Sequence, residues 1–376
     1  MVIPTQDQRK HLNPKQPTSM KIAAYNLNNM FERAKVFELQ GMSKDAKPIL
    51  DAYYGLINLL SAKSYSGKES KIIDLIKDFV EPQKGEERYI TINQMRNKLY
   101  SKNPKTKKIT LKVNGRAEWV GWVELVKKEV NEEATKNTAK VIEAVAPDVL
   151  CCVEVENRTV LEDFNRILLK NRFKYSMLID GNDPRGIDVG LYSNYPFVEI
   201  HTHIFDSYKD SQGREHRIFS RDCAEYAVDF NGNKVTFLCN HFKSQGYGTK
   251  ASNDKRRLLQ AERVKDILKK YDLTKDLVVV AGDLNDTPDN PPVQPLTNHP
   301  NLENIILRKG HPQGTYLKQN KQFDYLLVSK ALAAKYKDSG VERRGIFKAV
   351  GGSFPTVTSE VNQASDHAAV WAEFDI

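Results

Sequence analysis

Apolar and polar positions follow two rhythms along this chain. From residue 134 onward, apolar runs of strand length (DVLCCVEV, GIDVGLYS, KVTFLCNH, LVVVAG, DYLLVS, HAAVWAEF) alternate with stretches whose apolar residues recur every three or four positions. ATKNTAKVIEAVA predicts a helix ended by Pro147; TVLEDFNRILLK and KRRLLQAERVKDILKKY predict two more. AEYAVDF and KVTFLCNH flank Asn231-Gly232-Asn233, which predicts a β-hairpin. Between residues 33 and 133 the helical rhythm dominates, in KPILDAYYGLINLLSAK and SKIIDLIKDFV. A lysine-rich stretch, SKNPKTKKITLKV, then leads to a turn at Asn114-Gly115. That region predicts a largely helical insertion or subdomain with one hairpin. Residues 1–20 are polar and proline-containing, as expected of a flexible tail, and the strand KIAAYNL follows them. There is no repeat of fixed period. Antiparallel neighbours with helices between some pairs suit an α/β sandwich of mixed sheets better than a doubly wound parallel sheet.

The polar residues that interrupt this pattern carry the chemistry. Asn26-Leu27-Asn28, Glu154, Asn240-His241, Asp283-Leu284-Asn285 and Asp366-His367 each sit at the edge of a strand-like run. A buried strand that stops on a carboxylate, amide or imidazole delivers that group to a cleft at a sheet edge. Carboxylates and amides suit a hard, oxygen-ligated cation such as Mg²⁺, and two histidines suit proton transfer or charge stabilisation. The set suggests metal-dependent phosphoester hydrolysis.

Composition narrows the field without choosing a substrate. The chain has 376 residues, 40% of them hydrophobic, enough for a sizeable core, and has no apolar run of membrane-spanning length. A net charge of +9 favours a polyanionic partner, nucleic acid or an anionic lipid surface. Cys151, Cys152, Cys223 and Cys239 lie in apolar, strand-like surroundings without metal-binding spacing, which predicts buried free thiols. The first 20 residues lack an apolar leader core, so the expected compartment is cytoplasmic; a leader already removed would make the protein secreted.

The ordered segments YNLNNMF, DVLCCVEVEN, RGIDVGLYS, CNHFKSQ, GDLNDTP, FDYLLVS and SDHAAVWAEF resemble the endonuclease/exonuclease/phosphatase superfamily of deoxyribonuclease-I-like, metal-dependent phosphodiesterases. The resemblance covers about residues 21–32 and 134–376. It implies a four-layer α/β sandwich, two packed mixed β-sheets flanked by helices, with the active site at one end. Residues 21–376 would then be a single catalytic domain, with 33–133 inserted and unexplained by the family pattern.

By the same resemblance Glu154 is the main carboxylate ligand of a divalent cation, Mg²⁺ or Mn²⁺. Asn28 and Asp366 belong to the same metal shell, and Asn26 contacts phosphate or supports the site. Strand alternation puts Asn26 and Asn28 on one face and makes Glu156 a neighbour of Glu154. Asp283 is the base or water-positioning group, Asn285 the donor to a phosphoryl oxygen, and Asp286 a loop stabiliser. His241 and His367 stabilise the transition state or protonate the leaving oxygen, and Asp324 orients His367. His241 favours a deoxyribonuclease- or sphingomyelinase-like site over an abasic-site endonuclease, whose matching position is usually asparagine. Arg185, Arg221 and Lys243 are candidate phosphate-binding cations, with Asp188 and Ser244 as further rim residues. His201, His203, His216, His299 and His311 read as ordinary structural histidines.

Trp119 and Trp122, three apart, fit one helix face packed on the core. The alternative for this region is a nucleic-acid face, with lysines near 98–112 for phosphates and Tyr100 and the tryptophans for bases. The leading expectation is a nuclease acting on DNA or RNA by in-line attack of water. A phospholipid or inositol-phosphate esterase of the same fold is the alternative, and a non-catalytic basic binding module the third reading.

Overall fold

The computed structural model describes residues 18–30, 34–38, 46–82, 85–127, 133–183, 185–246, 248–310, 314–316 and 321–376. Most of the expected tail, residues 1–17, and His311 lie outside the described residues. The chain divides into two compact units, one of residues 32–129 and one of the remainder.

Strand β1 (Ser19–Met30) is followed, in the 32–129 unit, by α1 (Ala46–Leu60), α2 (Glu69–Leu75), β2 (Ile90–Arg96), β3 (Tyr100–Lys102), β4 (Ile109–Leu111) and β5 (Val120–Leu125). Next come α3 (Glu133–Val145), β6 (Val149–Val155), α4 (Arg158–Ile167), β7 (Tyr175–Leu178), β8 (Asp188–Ser193) and β9 (Phe197–His201). A short ribbon, β10 (Ser207–Lys209) and β11 (Glu215–Arg217), precedes β12 (Cys223–Phe230), β13 (Asn233–His241), α5 (Lys250–Leu268) and β14 (Leu277–Asp283). The last strands are β15 (Leu302–Asn304), β16 (Asp324–Ser329), β17 (Tyr336–Glu342) and β18 (Ala369–Asp375).

In the larger unit two six-stranded mixed sheets, β17-β18-β1-β6-β8-β7 and β15-β16-β14-β13-β12-β9, each centre on one parallel pair, β1 with β6 and β13 with β14. Strand alternation sorts the side chains into layers. Ile22, Ala24, Cys151 and Val153 of one sheet meet Tyr226, Phe237, Cys239 and Val279 of the other in a buried core. Their neighbours Tyr25, Leu150 and Cys152 face outward and pack with Ile142 of α3 and Phe164 of α4. Leu238, Val278 and Val280 do the same for the second sheet with Ala261 and Val264 of α5. The result is the expected α/β sandwich. Cys151 and Cys152 fall on opposite faces, and all four cysteines are free and buried.

The hairpin at Asn231-Gly232 forms as its sequence requires, with both residues at positive φ (53° and 87°) and Phe230 paired to Asn233. Gly282 is constrained by close approach. Its φ is 121°, and a Cβ there would lie 2.1 Å from the Asn240 carbonyl oxygen of the adjacent parallel strand.

The 32–129 unit has its own core of Leu56, Leu60, Ile72, Ile76, Ile90 and Trp119. Beside its helices it carries two antiparallel strand pairs, β2 with β5 and β3 with β4, where one hairpin was expected. The helix face expected for Trp119 and Trp122 is not formed. Trp119 is buried and donates to Tyr65 Oη at 2.8 Å, whereas Trp122 sits within β5 and is 49% exposed. Extended backbone places residues three apart on opposite faces, so the spacing that suggested one helix face splits the pair. Among the described residues, no helix is long and apolar enough to cross a membrane.

Candidate active site

Three of the polar strand ends share one local device. The Asn28 backbone N–H donates to Asn26 Oδ1 at 3.0 Å, that of Asn285 to Asp283 Oδ1 at 2.7 Å, and that of His367 to Ser365 Oγ at 3.0 Å. Each is a side-chain-closed turn near a strand terminus: within the last residues of β1, just after β14 and just before β18. Asn28 (φ 46°) and Asn285 (φ 55°) occupy the left-handed region, which asparagine tolerates better than most residues.

Glu154 is placed by a different device, a bulge with a strained backbone. Its φ is 63°, unusual for a glutamate, and the pairing of β6 with β8 slips between Val153 and Val155. Val153 faces the intersheet core and Val155 the helix side. Glu154 is therefore lifted out of the alternation. The same bulge defeats the expectation for Glu156, which does not line the cavity where Glu154 does.

Asn28, Glu154, Arg185, Arg221, His241, Asp283, Asn285, Asp366 and His367 line one cavity of about 320 Å³. Asn26 lies beneath, fully buried, and its Nδ2 bridges the two sheets by donating to Glu154 Oε1 (3.2 Å) and Asp283 Oδ2 (3.1 Å). Both histidines approach Asp283, and His241 approaches Glu154 as well. His241 Nε2 is 3.7 Å from Glu154 Oε1 and 3.9 Å from Asp283 Oδ2; His367 Nε2 is 3.9 Å from Asp283 Oδ2. Asp324, opposite Asp283 across β14 and β16, meets His367 Nδ1 at 2.9 Å.

The imidazoles differ in charge. Burial alone disfavours an imidazolium, but the carboxylates of Asp324 and Asp283 outweigh it and push His367 up to about 10. His241 is held well below the usual histidine range by burial and by the Arg221 guanidinium. That guanidinium lies along the ring, Nε 3.3 Å from Nδ1 and Nη2 3.0 Å from Nε2. Burial raises Asp283 to about 7, even against the His367 charge. One carboxyl poised near neutrality, one cationic imidazole and one neutral imidazole thus surround a single space.

Two acidic groupings could hold a cation. Asp283, Asp324 and His367 bring ligand atoms within 4.8 Å of one another. His367 already uses Nδ1 with Asp324 and carries its proton, so this trio suits proton handling better than ligation. The second grouping is Glu154, Asn28 and Asp366, with Asn28 Nδ2 donating to Asp366 Oδ1 at 2.8 Å. It offers carboxylate and amide oxygens to the cavity and fits a hard Mg²⁺- or Mn²⁺-type ion.

The weaker candidates separate. Arg185 and Arg221 line the cavity, Arg185 braced by Asp183 (2.7 Å). Lys243 does not line it; its Nζ is tied to the carbonyls of Ser244 (3.0 Å) and Gly246 (2.6 Å). Asp188 is buried, accepts the Gly181 N–H at 2.8 Å and is raised to about 7 by burial and neighbouring aspartates. Asp286 braces the loop through Arg257 Nε at 3.0 Å. Ser244 lines the cavity; so do Gln245, Tyr316 and Phe323, which were not singled out from sequence. Gln245 and Phe323 adjoin or lie within the motifs CNHFKSQ and FDYLLVS, so position alone could have flagged them. Tyr316, whose ring lies 4.9 Å from that of His367 and 5.2 Å from that of Phe323, has no such signal.

A search of curated proteins gives no match. Among solved structures, the chain is similar to an endonuclease/exonuclease/phosphatase family protein from Leptotrichia buccalis, with 16% identity, a TM-score of 0.46 and coverage of 66% of this chain and 95% of that one. It is similar to truncated TDP2 from Caenorhabditis elegans at 18% identity and a TM-score of 0.44, covering 66% and 93%. For sphingomyelinase C from Streptomyces griseocarneus the values are 16% and 0.42, covering 64% and 91%. The Endonuclease/Exonuclease/phosphatase family pattern itself matches residues 101–342, more than half of the sequence, so this chain belongs to that family.

Proposed function

We propose that the protein is a divalent-metal-dependent phosphodiesterase whose substrate is nucleic acid, cleaved by in-line attack of water. One observation carries the reading: Asn26 Nδ2 ties Glu154 to Asp283, His241 stands within 4 Å of both carboxylates, and His367 stands within 4 Å of Asp283. Residues 32–129 are read as an insertion in a single catalytic domain.

Glu154, Asn28 and Asp366 would hold the cation, which when bound supplies Lewis-acid neutralisation of phosphoryl charge. Asp283, poised near neutrality, takes the proton of the attacking water at Oδ2 as the water oxygen bonds to phosphorus. The ester P–O bond breaks opposite. His367, held as an imidazolium by Asp324, provides the proton that the leaving oxygen requires. Asp283 Oδ2 lies 3.9 Å from His367 Nε2, so returning the water's proton there restores both groups. His241, kept neutral, donates a hydrogen bond rather than a charge, while Arg221 and Arg185 offset the phosphate's negative charge. Asn285 Nδ2 donates to Phe242 O and Asp283 Oδ2, so in this arrangement it positions Asp283 and turns to phosphate only by exchanging a bond.

The test is a substrate panel of plasmid DNA, RNA, sphingomyelin and inositol phosphates, each with Mg²⁺, Mn²⁺ or a chelator. Metal-dependent cleavage of DNA or RNA is expected. Turnover confined to sphingomyelin or inositol phosphates would move the reading to the lipid-directed alternative, and none on any ester would remove the catalytic reading.

A further inference from the structure

The net charge of this chain is not spread evenly. Residues 32–129 hold 20 lysines and arginines against 13 acidic residues, so +7 of the total +9 belongs to this unit. Within it, residues 96–112 carry Arg96, Lys98, Lys102, Lys105, Lys107, Lys108 and Lys112 and no acid. Lys102 is spent on Glu81 at 3.1 Å. The other six are exposed, and no ion pair involving them occurs among the described residues.

The fold displays these cations on purpose-built supports. In the β3–β4 hairpin, Asn103 Oδ1 accepts the backbone N–H groups of Lys105 (2.9 Å) and Thr106 (3.0 Å), and the Lys107 N–H reaches Asn103 O at 2.9 Å. This closes the 103–108 turn, with every residue of it exposed. At the base of the hairpin the Lys112 N–H donates to Leu99 O at 2.8 Å, which brings the Lys98 and Lys112 segments side by side. On the neighbouring ribbon Arg96 pairs with Val120, two residues from Trp122. Trp122 is 49% exposed and held by a 3.3 Å bond from its indole N–H to Glu124, which Asn93 also grips at 2.7 Å.

We propose that the β2–β5 ribbon and β3–β4 hairpin bind a nucleic-acid strand without sequence preference, the six free cations meeting phosphates and Trp122 stacking on a base. Free cations running from Arg96 through the 103–108 turn match a linear polyanion, and a fixed exposed indole two residues from the strand partner of Arg96 supplies a stacking platform. An anionic bilayer fits less well. The Asn103 to Lys108 turn holds no large apolar residue to insert, and although Met95 and Val120 are exposed on the same ribbon as Trp122, burying that indole would take the Glu124 carboxylate toward an anionic surface.

The inference does not depend on the catalytic reading, and the experiment keeps the two apart. Binding of a fluorescein-labelled oligothymidylate of about 20 nucleotides is followed by anisotropy on the full chain with chelator present. Changing Lys105, Lys107 and Lys108 together to Gln should weaken binding about tenfold or more and lower the salt-dependence slope by about 2, while the triple Arg variant retains both. Trp122→Ala should cost about five- to hundredfold, and Trp122→Phe much less. Lys47→Gln, exposed in the same unit but paired with Asp51, should bind like the unaltered protein. Unchanged affinity and slope in the Gln variant would overturn the proposal. So would equal loss in the Arg variant, no effect of Trp122→Ala, or a loss seen only with phosphatidylserine vesicles.

Discussion

The catalytic cavity and the ribbons of residues 32–129 both concentrate charge, but they treat it in opposite ways. Around the cavity Glu154, Asp283, Asp324, His241 and His367 are largely buried, and each is held by another polar group. On the ribbons Lys105, Lys107 and Lys108 are exposed on a turn held by backbone and Asn103. Burial makes charge interactions strong and geometry-dependent, which suits a reaction needing fixed atoms. Exposure leaves them weak, salt-screened and tolerant of position, which suits a partner held along its length.

Substitutions in the two regions should therefore differ sharply. The largest effects belong to the cavity: Glu154→Ala, His241→Ala and His367→Ala should each lower kcat by about a hundred- to thousandfold, about 2.7–4 kcal/mol in the barrier, without unfolding. Steady-state rates alongside circular dichroism check this, and near-normal turnover in any one removes that residue from the mechanism. Next is Asn26→Leu, which deletes the amide linking Glu154 to Asp283. Leaving those carboxylates without their shared donor should cost about 1–3 kcal/mol of stability, read by denaturant unfolding, and lower activity as well.

A smaller effect tests buried charge away from the cavity. Burial alone would raise Glu225, but hydrogen bonds from His203, Tyr271 and Lys270 pull it down to about 2. A depressed carboxylate contributes stability that is present above its unfolded value of 4.5 and lost as pH falls toward 2. Discounted for solvent around its partners, this is about 1–2 kcal/mol. Thermal unfolding between those pH values should therefore steepen for the native chain and flatten in Glu225→Gln. The smallest change is expected on the ribbon, where Lys105→Gln, Lys107→Gln or Lys108→Gln should shift stability by no more than about 0.5 kcal/mol. A larger loss there would mean that these lysines support the fold, and the contrast between the regions would weaken.

Much of the sandwich was legible because strand and helix rhythms are local. The Asn231-Gly232 hairpin, the strand DVLCCVEV with cysteines on both faces and the helix ending at Val145 just before Pro147 all follow from neighbouring residues. The 32–129 region was less so. Its short strands β3 and β4 span three residues each, too few to display a period, and β5 was mistaken for a helix because two tryptophans fell three apart.

At the cavity, the sequence determined which chemical groups were on offer: apolar runs ending in Glu154, His241 and Asp283, with Asn26 and Asn28 closing β1 and Asp366 and His367 preceding β18. It could do so because a strand pattern and the polar residue that breaks it are adjacent in the chain. Only the tertiary structure decided how those groups are aimed. The bulge that lifts Glu154 out of alternation, the amide of Asn26 reaching Asp283 across 257 positions and the guanidinium laid along His241 are set by packing between separate strands. Register and burial across such separations are properties of the assembled sheets, and no local pattern encodes them.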